Sequence, residues 1–151
     1  MIALAVLAVV IVGTMTGVEF CVTFFVNPIL NALPPEASIS SRGHGARLLG
    51  RVMPFWYIAS LILVGGWTAF TWGQAPAPAA LVSSILLAAS VLVSVTLLVP
   101  INSRAASWTS STAPADWREQ LHRWDALNYL RVAIVIAALV LAVVALAVDN
   151  A

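Results

Sequence analysis

Glu19 lies inside an uninterrupted apolar run near the N-terminus, and a carboxylate in such surroundings calls for a proton, a cation or a ligand. Thr16, Glu19, Thr23 and Asn27 follow one another at steps of three, four and four, which in a helix makes a single polar stripe. Such a stripe belongs on the inside of a bundle. Glu19 reads either as a base beside a pocket or as a structural carboxyl, protonated or paired with Arg51 or Arg131. A second group comes from the segment HRWDALNYLR, where Trp124, Asn128 and Arg131 share a helix face and His122 and Asp125 are close enough to meet. In RVMPFWY, Arg51 precedes Trp56 and Tyr57, which read as interface anchors or as the aromatic wall of a pocket. Ser83, Ser90 and Ser94 share a face and read mainly as hydroxyls bonded back to their own helix. With only His44 and His122 as histidines, a metal or haem site would have to draw on the carboxylates as well. A cofactor-free site is the preferred expectation.

The elements that must position these residues follow from composition. Hydrophobic residues make up 62% of the 151-residue chain and charged residues 9%, against about a quarter charged in soluble domains. Too few polar side chains exist to cover a soluble fold of this size. The expectation is an all-α integral membrane four-helix bundle, one domain over residues 1–151. Its spans run from about Ile2 to Ile29, Phe55 to Thr71, Ala79 to Val99 and Tyr129 to Val148. Residues 72–78, WGQAPAP, close a hairpin between the second and third spans. Two longer loops, about Asn31 to Pro54 and Pro100 to Asn128, complete the chain, and PADWREQLHRWDALNYL is a candidate for a short interfacial helix before the fourth span.

Every cation is Arg, and all seven lie in or beside the two long loops. That bias places both loops in the cytoplasm and both termini outside, in a plasma membrane. Trp56, Trp72, Trp108, Trp117 and Trp124 cluster near span ends, as headgroup-level rings do. The net charge of +1 gives no face for nucleic acid. The expected partners are the bilayer and a lipophilic small molecule. Gly13 and Gly17 form a GxxxG pair, continued by Cys21 as a small packing residue, that would admit either a neighbouring helix or a second copy of the chain. The lone cysteine leaves no intrachain disulfide, and the N-terminus lacks the basic start and cleavage site of a secretory signal, so it reads as mature helix.

The segment LVPINSRAASW, the downstream Trp117 and RWDALNYLR together resemble the signature of the anthrone oxygenase-like family of small four-span membrane proteins. The matching positions are Pro100, Asn102, Trp108, Trp117, Trp124, Asn128 and Arg131, with Asn27–Pro28 and GRVMPFWY as further matches. Glu19 and His122 lie outside the pattern. The resemblance implies oxidation of a lipophilic, anthrone- or phenol-like aromatic by dioxygen without an obvious cofactor. An anthrone is a weak carbon acid, so the protein needs a base, an oxyanion stabiliser and an apolar pocket. Glu19, Asp125 or His122 could take the proton, and Asn102, Asn128 and Arg131 could hold the enolate oxygen. Trp56, Tyr57 and Trp124 could stack on the rings, with Asn27 and Arg51 at the pocket edge. The competing expectation is a non-catalytic membrane subunit or small-molecule carrier, whose polar residues tie the helices together.

Overall fold

The computed structural model describes residues 2–149, which form helices and turns with no strand among them. Four helices are long and apolar enough to cross a membrane: α1 (Ile2–Asn31), α2 (Pro35–Phe70), α3 (Ala77–Ala105) and α4 (Trp117–Asp149). They form a closed ring in which each helix packs on its two neighbours and the diagonal pairs hardly touch. Large apolar side chains such as Phe55, Ile62, Leu92 and Val140 cover the outside. This inverted surface is what an integral membrane protein presents to lipid.

The interior is built on small residues at helical spacing. Along α4 the buried positions 121, 124, 128, 131, 135, 138, 142 and 145, with Val132 buried beside them, alternate steps of three and four, the repeat that keeps one seam facing its partners. Ala5 and Ala8 of α1 and Ala138, Ala142 and Ala145 of α4 have no exposed surface, so alanines carry the close packing. The GxxxG pair does not: a Cβ on Gly13 would meet Leu139 at an ordinary 3.7 Å, and Gly17 has open space around it. Cys21 is likewise exposed rather than packed. Trp67 stands in the core near the hairpin, and Ser83 reaches across from α3 to donate to the Ala138 carbonyl at 2.7 Å instead of bonding back to its own helix.

At the end of the bundle rich in arginine, the helices are longer than their apolar runs suggest. α2 begins at Pro35 and continues through Pro54, so most of the expected 31–54 loop is helix. α3 continues past Pro100 to Ala105, and the expected separate interfacial helix is the first part of α4. Only residues 32–34, 71–76 and 106–116 connect the four, with Gly73 at φ +80° supplying the left-handed residue in the hairpin turn.

Two of the helices widen into π turns, Val22–Val26 in α1 and Ser94–Leu98 in α3. Each turn ends two residues before a proline, Pro28 and Pro100. Proline has no N–H, and its ring crowds the carbonyl four residues back; the wider turn relieves that crowding without breaking the helix.

Candidate functional site

Arg131 joins the four helices at one point. Its Nη2 donates to Glu19 Oε2 on α1 and, at 2.6 Å, to Asn128 Oδ1 on its own helix, while Nη1 donates to Ser94 Oγ on α3 at 3.2 Å. From α2, the Tyr57 hydroxyl donates to Glu19 Oε1 at 3.3 Å, and the Arg131 guanidinium carbon stands 5.7 Å from the Tyr57 ring centroid. Asn128 Nδ2 in turn donates to Thr23 Oγ1 at 2.6 Å. Glu19 is 3% exposed and Arg131 9%, so the pair is effectively inside the bundle. The stripe Thr16, Glu19, Thr23 and Asn27 is buried along its whole length. The π turns help to assemble this cluster, because Thr23 and Ser94 lie in them.

A second polar cluster lies towards the arginine-rich end. Asp125 accepts from Arg42 Nη2 at 2.9 and 2.7 Å, from Asn27 Nδ2 at 3.0 Å and from Asn31 Nδ2 at 2.8 Å. Arg42 Nη2 also donates to Asn31 Oδ1 at 2.7 Å. Its guanidinium lies 5.8 Å from the Trp124 ring centroid. This clasp ties the end of α1 and the start of α2 to α4.

Between the two clusters is a cavity of about 300 Å³. Its wall is mainly apolar, with Val18, Val22, Leu49, Met53, Leu98 and Ile101 among the lining residues, and its polar members include Glu19, Tyr57, Arg131, Asn102, Asn27 and Arg42. Trp124 supplies an aromatic face. Three buried N–H groups on lining residues, Nε of Arg42, Nε of Arg131 and Nε1 of Trp124, have no acceptor among the described residues. A buried donor left unmatched costs about 1–3 kcal/mol. Trp67 Nε1 and Ser38 Oγ share the shortage away from the cavity.

The structure therefore brings Glu19, Asn27, Tyr57, Asn102, Trp124 and Arg131 to the lining of one cavity. It places the other candidates elsewhere. Asn128 stands behind Arg131 and positions it. Trp56 turns to α1, where Nε1 donates to the Ile11 carbonyl at 3.2 Å. Arg51 is exposed and off the cavity wall. Asp125 is engaged by Arg42 and lies, with exposed His122, on a shallow groove of about 270 Å³ between α1 and α4. Among the described residues no three His, Cys, Asp or Glu side chains gather as metal ligands would, and His44 is also exposed. Arg42, Asn31 and Ser94 were not expected at a site. Asn27 and Asn31, one helical turn apart, were the available hint that α1 ends in a polar contact.

A helical membrane bundle with a polar-lipped, apolar internal cavity is the class that fold and site define. The chain belongs to the anthrone oxygenase family, whose model matches residues 46–141. The match takes in Tyr57, Ser94, Asn102, Trp124 and Arg131 but stops short of Glu19 and Asn27. No curated protein and no solved structure matches the chain.

Proposed function

We propose that the chain is a cofactor-independent oxygenase that converts a lipophilic hydroxyanthrone-like carbon acid to its quinone with dioxygen. The observation that carries this reading is the Glu19–Arg131–Tyr57 cluster on the wall of an apolar cavity whose volume is at the small end of ligand sites, about 300–1,000 Å³.

The chemistry asks for one proton to leave carbon and for the resulting charge to be held on oxygen. Glu19 is the carboxylate on the wall and takes the proton. As it becomes neutral, the Arg131 guanidinium and the Tyr57 hydroxyl turn their hydrogen bonds to the substrate oxygen, which has become an enolate. A guanidinium–carboxylate pair thus becomes a guanidinium–enolate pair, and no uncompensated charge is created in a medium where one is costly. The enolate gives an electron to dioxygen, the two radicals join through a new C–O bond, and the proton held by Glu19 passes to the peroxide oxygen. Loss of water from that hydroperoxide gives the quinone, so one anthrone and one dioxygen yield one anthraquinone and one water. The apolar wall dissolves both reactants and keeps bulk water away. The arginine-rich end, which carries the clasp, is read as cytoplasmic.

The test is oxygen uptake and quinone absorbance with the protein in lipid nanodiscs and a hydroxyanthrone under air. Wild type should consume oxygen and form quinone in equal amounts, well above spontaneous autoxidation, and Glu19→Gln or Arg131→Met should lose about 10²–10³-fold. A wild-type rate equal to buffer across a panel of hydroxyanthrones and phenols removes the reading. The extensive bonding of the polar groups to one another favours a second reading, a carrier that holds the same molecule unchanged. Saturable binding without oxygen uptake would support that reading.

A further inference from the structure

We infer that the cavity is filled sideways from the bilayer, through a window between α2 and α3 whose width is set by Gly50 and Val95; the substrate class is therefore a planar molecule dissolved among acyl chains. The inference deepens the oxygenase reading and rests on it for the substrate, but not for the route.

α2 and α3 meet at both ends and part between them. Near the hairpin, Thr68 Oγ1 and Ser84 Oγ are 3.3 Å apart. At the arginine-rich end, Arg47 Nη1 donates to the Ala106 carbonyl at 2.6 Å, and a Cβ on Gly43 would come within 3.2 Å of the Ala105 carbonyl. α2 packs against residues 77–93 and again against 99–105, but hardly touches the π turn that separates them. That turn leans on α4 instead. Opposite it, Pro54 has no N–H to give the Gly50 carbonyl, so α2, though continuous, lacks one rung of its hydrogen-bond ladder there.

The residues facing this gap belong to the cavity and to the outer surface at once. Gly50, Pro54 and Ile58 on α2, and Val95 and Val99 on α3, line the cavity and are exposed. Their outward neighbours Phe55, Ile62 and Leu92 are exposed apolar side chains within the spans, so the opening looks into hydrocarbon. Exposed Arg51, beside Gly50, can carry its guanidinium up to the headgroups while its stem stays along the apolar edge of the opening. A Cβ on Gly50 would meet nothing within 4 Å, so a side chain there would occupy the opening without a clash.

The experiment follows access directly. With Cys21→Ser as background, Met53→Cys puts a thiol on the cavity wall of the full chain in phosphatidylcholine vesicles. A bilayer-dissolved pyrenyl maleimide should label it, and a water-borne disulfonated stilbene maleimide should label it at least tenfold more slowly. Adding Gly50→Phe, or Val95→Trp should the first fail to fold, should slow pyrene labelling at least tenfold. Placed instead in the chain that keeps Cys21 and Met53, the same fillers should leave labelling of Cys21, which is exposed, unchanged. Pyrene labelling that ignores both fillers, or labelling that is faster from water, overturns the window. Labelling needs no turnover, so a window that closes in a protein unable to oxidise hydroxyanthrones retains the route and discards the oxygenase. Turnover with unblocked labelling does the reverse.

Discussion

Asn128 holds Arg131 from behind: its Oδ1 accepts from the guanidinium at 2.6 Å while its Nδ2 donates to Thr23 at 2.6 Å, and its side chain has no exposed surface. The amide therefore ties Arg131 of its own helix to Thr23 of α1 with both of its polar atoms used. Replacement by leucine should leave the Thr23 hydroxyl and one guanidinium N–H unmatched, at about 1–3 kcal/mol. We expect a lower unfolding temperature in detergent and a weakened turnover. Asn128→Asp, which retains the acceptor, should restore more of the activity than Asn128→Leu; equal losses would remove the positioning role.

The Glu19–Arg131 pair should show unequal halves. Glu19→Leu strands a guanidinium that cannot lose its proton, whereas Arg131→Met strands a carboxyl that can be neutralised by one. Breaking a buried pair from one side costs about 3–5 kcal/mol, and replacing both partners by apolar groups is often neutral. Thermal unfolding should rank Glu19→Leu below Arg131→Met and both below the double variant, which should be stable and inactive. A double variant no better than Glu19→Leu would contradict the pairing.

The Arg42–Asp125 clasp is the main polar tie between the first part of α2 and the rest of the bundle. Asp125→Ala should cost about 1–3 kcal/mol. The effect should be local: faster hydrogen exchange across residues 35–46, with the α1–α4 alanine seam still protected. Exchange that rises uniformly over all four helices would argue against a separable clasp.

Exposed side chains off the cavity wall should be dispensable. His122→Ala and Arg51→Ala each remove a group without a hydrogen-bond partner among the described residues, so stability should move by no more than about 0.5 kcal/mol. Turnover within twofold of wild type is the expected assay result. A large loss in His122→Ala would return that imidazole to the candidates.

The bundle is legible in the sequence because four apolar runs leave no soluble alternative, and the polar stripe of α1 is legible because its period is that of a helix. The arginine-rich end is not. Residues 35–54 carry serine, glycine, histidine and arginine and read as loop by propensity, yet they are helical where Arg42 reaches Asp125. That contact joins residues 83 apart in sequence, and no local pattern announces it. Likewise, the spacing that groups Trp124, Asn128 and Arg131 shows a shared face. It cannot show that Trp124 and Arg131 meet the cavity while Asn128 holds Arg131 from behind.

Each π turn holds one residue more than a regular helix would need, and so acts as a phase setter for everything after it. Deleting a single residue from 94–98 would rotate the rest of α3 by about 100°. Asn102 would swing off the cavity wall, and the carbonyls of Ala105 and Ala106 would leave Gly43 and Arg47. The alignment of this end is thus encoded in a residue count as much as in any side chain.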